Sequence, residues 1–105
     1  MDELLKEISD ELREKFGENI EKIIVFGSYA RGDYREQSDI DILVVVSNSA
    51  SNDIESDIRR VIYSYTPKAG RLISVKVINS RIYYHMKNAN CSFIRSVEKD
   101  GIALG

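Results

Sequence analysis

Two aspartates near the middle of the chain have the type and spacing of metal ligands. Asp39 and Asp41 are separated by one isoleucine, at the start of the most apolar segment of the sequence. In a β-strand, residues two apart lie on one face, with their Cα atoms about 6.5 Å apart. Carboxylate oxygens at this spacing suit Mg²⁺, a hard cation that keeps water and substrate phosphates in its coordination shell. The pair therefore predicts a magnesium site.

A Gly-Ser pair that precedes the aspartates has the character of an anion site. Ser28 lies eleven residues before Asp39 and follows a segment rich in Ile and Val, where a strand should end and a short helix begin. The first N–H groups of a helix have no partner within it and can bind phosphate. Gly27 allows close approach to the backbone, Ser28 can donate a hydrogen bond, and Arg31 adds a guanidinium. Together with the aspartates, these residues predict a Mg²⁺-nucleotide site.

Each part of this pattern has a simpler interpretation on its own. An Asp-x-Asp at the start of a strand is often only its solvated end, and a Gly-Ser after a strand is more often a turn. The combination is rarer, because at average composition this spacing should arise about once per thousand chains of this length. The Gly-Ser pair ends one predicted strand and the Asp-x-Asp begins the next, and this placement favours the functional interpretation.

The spacing of apolar residues predicts the elements that position this site. Three strand-like segments occur, at Lys22–Phe26, Asp39–Val46 and Arg71–Ile78. Helices are predicted over Glu3–Phe16, from Gly27, from Ile54 to before Pro67, from Asn79 or Ser80 to Lys87, and over Ser92–Lys99. The order αβ(α)βαβαα predicts an α/β (α+β) fold, a small mixed β-sheet flanked by helices. The short connection between the first two strands suits either a parallel or an antiparallel pair.

Length and composition restrict the class of protein. With 105 residues, 17 acidic and 15 basic side chains and a net charge of −2, the sequence predicts one domain over residues 1–105, without the broad basic surface of a nucleic-acid binder. The longest apolar run, Ile42–Val46, is far shorter than the roughly 20 residues of a membrane span. Acidic residues follow Met1, which argues against a signal peptide, and the lone Cys91 fits a reducing compartment. We expect a cytoplasmic domain with no membrane association.

The motif carries a resemblance to a known family. Gly27-Ser28-x10-Asp39-x-Asp41 resembles the signature of the polymerase-β-type nucleotidyltransferase superfamily. The short chain most resembles the minimal nucleotidyltransferases, the MntA-like antitoxins encoded beside HEPN-domain toxins. This resemblance implies a nucleotidyltransferase-like fold and transfer of a nucleoside monophosphate from an NTP, with ATP expected, to an acceptor hydroxyl. It also implies that Asp39 and Asp41 bind two Mg²⁺ ions, that Gly27 and Ser28 hold the triphosphate, and that Arg31 lies close to it.

One segment departs from the pattern of that family. The family usually carries a third carboxylate on the strand that follows the helix after Asp-x-Asp, whereas Arg71–Ile78 contains no acid. Ser74 and Lys76 share the polar face of this strand, which is the face expected to border the site. Two aspartates can hold the nucleotide-bound metal, but the second metal, which activates the acceptor, loses a ligand.

The sequence is therefore compatible with two functions. The first is an enzyme that transfers an NMP to a hydroxyl on a partner protein, because 105 residues leave no room for the acceptor-binding domain of related transferases. By resemblance, the partner is a HEPN-domain toxin and the chain is its antitoxin. The alternative is a non-catalytic nucleotide-binding or contact antitoxin, or a regulatory subunit, with a degenerate active site. Both functions predict a complex with the partner rather than a solitary monomer.

Overall fold

The computed structural model describes residues 2–32, 39–51 and 53–105, so that residues 33–38 of the predicted connection between the first two strands lie outside it. The described helices are α1 (Asp2–Phe16), α2 (Gly27–Arg31), α3 (Ile54–Tyr63), α4 (Thr66–Ala69), α5 (Ser80–Asn88) and α6 (Ser92–Asp100), with a 3₁₀ turn at Gly17–Asn19. The strands are β1 (Ile20–Phe26), β2 (Ile40–Val46), β3 (Ile73–Asn79) and β4 (Ile102–Ala103). None of these helices is long and apolar enough to span a bilayer.

The four strands form one mixed sheet in the order β3-β2-β1-β4. Strand β1 runs antiparallel to both β2 and β4, and β2 runs parallel to β3. The antiparallel pairing of β1 with β2 answers the question that their short connection left open. The parallel pair has the longer crossover that it requires, because α3 and α4 lie between β2 and β3. The predicted mixed sheet flanked by helices is confirmed.

Helices cover both faces of the sheet, which explains why β2 is almost entirely apolar. The larger core lies between the sheet and helices α1 and α3 and includes Ile8, Leu12, Ile23, Val25, Ile40, Ile42, Val44, Ile58, Ile62 and Ile73. The smaller core lies on the opposite face against α5 and α6 and contains Ile24, Leu43, Val45, Tyr83, Ile94 and Val97. The face with the smaller core is also the face toward which Asp41 points, because Asp41 alternates with the buried Ile40 and Ile42.

The end of the chain adds a strand that the apolar spacing did not predict. Ile102 and Ala103 pair with Val25 and Ile24, and the N–H of Leu104 donates to the carbonyl of Ile23 at 2.8 Å. Two residues are too few to show strand periodicity, so only the pairing with β1 defines them as β4.

A hydrogen bond between α1 and the start of α4 gives a testable pH dependence of stability. Tyr65 Oη donates to Glu11 Oε1 at 2.6 Å. This bond holds the pKa of Glu11 below its usual 4.5, with a further contribution from Lys15. Because the folded-state pKa is depressed, the stabilisation is complete above the unfolded pKa and is lost as the pH falls through the folded value.

We therefore expect Tyr65→Phe to lower the free energy of unfolding by about 1 kcal/mol at neutral pH. The difference from the wild type should shrink in acid, once Glu11 is protonated in both proteins. Urea denaturation on either side of the Glu11 titration measures both values. Equal differences at the two pH values would contradict this account of the Glu11 pKa.

Candidate active site

Asp39 directly precedes β2 and Asp41 lies at its start, at the end of the sheet where β1 ends. Asp41 is the register partner of Phe26 on β1 and of Ser74 on β3. Ile40, between the two aspartates, is fully buried in the larger core. Strand alternation therefore turns Asp39 and Asp41 toward the opposite face, where Asp39 is exposed and Asp41 is half-buried.

Gly27 meets Asp41 directly. It begins α2 immediately after β1 and has a φ of +77°, a conformation that favours glycine. A Cβ at this position would overlap Asp41 Oδ2 and lie 3.3 Å from Asp41 Cγ. The structure therefore brings one carboxylate against the backbone at the strand-to-helix junction, as a combined cation and phosphate site requires.

Ser28 and Arg31 lie on the same short helix, α2, with Ser28 directly after Gly27 and Arg31 at its end. Tyr29 and Ala30, between them, pack against the larger core, which fixes α2 on the sheet. The N-cap residue, Phe26, has no polar side chain that could accept from the first N–H groups of α2. The contacts that Ser28 and Arg31 would make with phosphate stay predictions.

Strand β3 borders the aspartates on their other side. In the parallel register Asp41 pairs with Ser74, whereas Lys76 pairs with Leu43, further from the site edge. Lys76 Nζ lies 5.8 Å from the centre of the Phe93 ring, and Phe93 in turn meets Phe26 edge-to-face at 5.5 Å. The β3 residue that lies beside Asp41 is therefore Ser74, whose side chain offers a hydroxyl group.

The donor atoms suit a magnesium ion with an incomplete protein shell. Asp39 and Asp41 offer carboxylate oxygens on one open face, and Mg²⁺ is bound by one or two carboxylates when water and substrate phosphates complete its coordination. Among the residues that the structure describes, no group of three or more His, Cys, Asp or Glu side chains could hold a metal. The two aspartates thus fit the nucleotide-bound metal, and β3 supplies no third acid.

A separate cleft of about 290 Å³ lies at the far end of β2 and β3 and has a different character. Asn48 Oδ1 accepts from the Arg81 N–H at 2.9 Å, and Asn79 Oδ1 accepts from the Ile82 N–H at 2.8 Å. The first N–H groups of α5 are therefore already capped by side chains. This cleft lies away from the aspartates.

Residues 5–104 match the family model for the nucleotidyltransferase domain. The chain belongs to the nucleotidyltransferase domain family. The matched residues include every strand of the sheet and the whole segment from Gly27 to Asp41. The family and the enzyme class that the motif predicted are both confirmed.

Relatives of this nucleotidyltransferase carry names that specify a protein substrate. "Putative protein adenylyltransferase MJ0604" of Methanocaldococcus jannaschii is 39% identical over 101 residues, which cover 95% of this chain and 93% of that relative. "Protein adenylyltransferase MntA" of Thermococcus cleftensis is 62% identical over 34 residues, 32% of each chain. The nucleotidyltransferase is therefore of the minimal, MntA type.

Solved structures share the fold of this nucleotidyltransferase. A crystal structure of "a putative nucleotidyltransferase from Sulfolobus solfataricus" has a TM-score of 0.61 and 30% identity, and the match covers 96% of this chain and 76% of that one. A toxin–antitoxin structure with AMP-PNP has a TM-score of 0.60 and 20% identity, with 95% of this chain and 72% of that chain covered. At that lower identity the likeness concerns the fold.

The sequence did not identify two features of the site in this nucleotidyltransferase. The edge-to-face contact between Phe26 and Phe93 joins residues from β1 and α6, and nothing in the local sequence of either indicates it. The choice of Ser74 over Lys76 as the neighbour of Asp41 depends on the register between β2 and β3. Strand alternation places both of these polar residues on one face and does not choose between them.

Proposed function

We propose that this chain is a Mg²⁺-dependent protein adenylyltransferase and the antitoxin of a toxin–antitoxin pair. It would transfer AMP from ATP to a hydroxyl on the toxin. The observation that carries this proposal is the contact between the Asp41 carboxylate and the backbone of Gly27, with Asp39 on the same face of the strand. The names of the relatives support a protein acceptor, and the AMP-PNP in the toxin–antitoxin structure supports ATP as the nucleotide.

In the proposed reaction, the aspartates bind the metal and the residues of α2 bind the triphosphate. Asp39 and Asp41 would hold Mg²⁺, which lowers the charge on the transferring phosphoryl group and favours attack by an oxygen nucleophile. Gly27 leaves the triphosphate room beside the backbone, while Ser28 and Arg31 would donate hydrogen bonds to its oxygens. The acceptor oxygen bonds to the α-phosphorus as the bond to the bridging oxygen breaks, so that pyrophosphate leaves and the hydroxyl proton is released.

The partner that we propose is a HEPN-domain toxin, with a tyrosine or another hydroxyl as the acceptor. The described residues form one sheet with its covering helices, and in this proposal the partner supplies the surface that presents the acceptor. A reaction that consumes ATP and modifies such a toxin would take place in the cytoplasm.

Label transfer from α-³²P-ATP tests the proposal. The chain is incubated with Mg²⁺ and the purified product of the adjacent gene, and a matched reaction contains EDTA. A labelled partner band that EDTA abolishes is the expected result. The absence of label with any of the four NTPs, while the two proteins still bind each other, would overturn the proposed transfer.

One observation favours a second function, a contact antitoxin that does not catalyse transfer. Strand β3 carries no acid, and its residue level with Asp41 is Ser74. In this alternative the chain binds a nucleotide, or only keeps the fold, and neutralises the toxin by covering it. Neutralisation would then survive removal of both aspartates, whereas the proposed enzyme would lose it.

The register makes a specific prediction about the absent third acid. Because Ser74 pairs with Asp41 and Lys76 pairs with Leu43, Ser74→Asp should place a carboxylate within reach of a metal held by Asp41, and Lys76→Asp should not. We expect Ser74→Asp to tighten Mn²⁺ binding by about tenfold, or about 1.4 kcal/mol, and to raise the rate of label transfer.

Mn²⁺ titration by isothermal calorimetry and the label-transfer assay measure these two effects. Lys76→Asp is the control for position, since it puts a carboxylate on the same face of the same strand, and its charge change of −2 exceeds the −1 of Ser74→Asp. An equal gain in both variants would show that the added negative charge, and not its position, is responsible.

A further inference from the structure

A large apolar side chain is exposed immediately beside the two aspartates. Leu72 is 66% exposed, more than any other large hydrophobic residue among those the structure describes. It directly precedes β3, and its carbonyl accepts a hydrogen bond from the N–H of Ile40 at 3.0 Å. Ile40 is the residue between Asp39 and Asp41, so this bond fixes the Leu72 backbone at the edge of the site.

The register and the burial pattern place the Leu72 side chain on the face of the aspartates. Ile40 pairs with Ile73, so that the preceding residues, Asp39 and Leu72, lie side by side. Ile73 is only 4% exposed and packs in the larger core, as Ile40 does. Alternation along each strand turns Leu72 away from that core, to the same side as Asp39.

The aspartates therefore have two chemically different sides. On the side of β1 and α2, Gly27 brings the backbone against Asp41 and leaves space for phosphate. On the side of β3, Leu72 and Ser74 lie level with Asp39 and Asp41 and bring no charge. In phosphoryl transfer the attacking and leaving oxygens lie on opposite sides of the phosphorus. If the triphosphate lies on the side of Gly27, the acceptor must approach from the side of β3.

We infer that Leu72 is a contact residue for the protein acceptor and determines its specificity. The occupant would be a segment of the partner protein that presents an apolar side chain next to the acceptor hydroxyl. This inference rests on the proposed function, because it assigns a partner-binding role to a residue at that same site.

The position of β3 in the sheet supports access from this side. Among the residues that the structure describes, β3 is an edge strand that pairs with β2 alone. On its outer edge, the Val75 carbonyl already accepts a hydrogen bond from Arg59 Nη1 at 2.6 Å. Arg59 thus occupies a position that an added strand would need. A partner would therefore contact the exposed side chain of Leu72 at the end of β3 and not pair along the strand.

Leu72→Ser tests this inference in the label-transfer assay, with the concentration of the adjacent-gene product varied. We expect the KM for the partner protein to rise about tenfold, which corresponds to about 1.4 kcal/mol. The kcat should change less than twofold. The Kd for α,β-methylene ATP with Mg²⁺ should stay unchanged, because Leu72 lies on the side away from Gly27. Leu72→Met should keep most of the wild-type KM.

Ile82→Ser is the matched control, because Ile82 is also an exposed apolar residue, 48% exposed, but lies on α5 at the other cleft. An unchanged KM for Leu72→Ser, or an equal rise for Ile82→Ser, would overturn the role of Leu72 while leaving the proposed transfer intact. If the wild type labels no partner at all, the proposed function fails and the inference fails with it.

Discussion

Replacement of both aspartates with asparagine should abolish nucleotidyl transfer. We expect the Asp39→Asn, Asp41→Asn variant to label the partner at least about a thousandfold more slowly than the wild type, a loss of about 4 kcal/mol in transition-state stabilisation. Asparagine keeps the shape of the side chain but removes the negative charge with which the proposed site would hold Mg²⁺. Initial rates of label transfer with α-³²P-ATP measure the effect.

A second double variant separates this loss from a general effect of charge. Asp53 and Asp57 are acids at the start of α3, at the opposite end of the sheet from the site. Asp53→Asn with Asp57→Asn removes the same two charges and should leave the rate within about twofold of the wild type. If both double variants lost activity equally, the aspartates of β2 would not be the metal ligands.

The Asp39→Asn, Asp41→Asn variant also distinguishes the two candidate functions. A transferase without its metal ligands should no longer neutralise the toxin, although the two proteins still bind each other. A contact antitoxin should neutralise it as before. Growth of cells that express the toxin with each variant, compared with co-purification of the two proteins, gives this answer directly.

The second large effect is expected for Gly27→Ala. The added methyl group would overlap Asp41 Oδ2, so either the carboxylate or the start of α2 must move. In the proposed site, a displaced carboxylate would no longer bind the metal beside the phosphate. We expect label transfer to fall by about a hundredfold or more, a loss of about 2.7 kcal/mol in transition-state stabilisation, with weaker binding of α,β-methylene ATP.

Gly70→Ala provides a control with the same backbone penalty. Gly70 has a φ of +69°, close to the +77° of Gly27, but a Cβ there would meet nothing within 4 Å. Each substitution places alanine in the left-handed region, at a cost of about 1 kcal/mol in stability. Thermal denaturation should therefore show a destabilisation in both variants, whereas transfer should be lost only in Gly27→Ala. Equal activities in the two variants would contradict the role that we give to the contact with Asp41.

The local sequence was sufficient to predict the placement of Asp39, Asp41 and Gly27 in the fold. The apolar segment before Gly27 and the one that contains Asp41 each have strand character, and glycine marks the point where the first ends. Because two residues of spacing in a strand correspond to one face, the shared orientation of Asp39 and Asp41 followed directly. These features depend on neighbouring residues, which is why the sequence could predict them.

The surroundings of the site depend on residues that are far apart in the chain. The register that places Ser74 beside Asp41 depends on the crossover through α3 and α4. The sequence of β3 by itself is compatible with either Ser74 or Lys76 beside Asp41. Likewise, β4 exists only through its pairing with β1, and two residues carry no period of their own. Antiparallel pairing of β1 with β2 could not be chosen because a short connection is compatible with both directions.

The pairing of β1 with β2 also has a consequence for how this protein can evolve. The proposed nucleotide side of the site comes from α2 and the start of β2, whereas the opposite side comes from β3, which pairs with β2 alone among the described residues. Substitutions at Leu72 or Ser74 therefore leave the pairing of β1 with β2 untouched. Under the proposed function, a lineage could change its partner protein in a few steps while the transfer of AMP from ATP stays the same, so related nucleotidyltransferases should diverge first along β3.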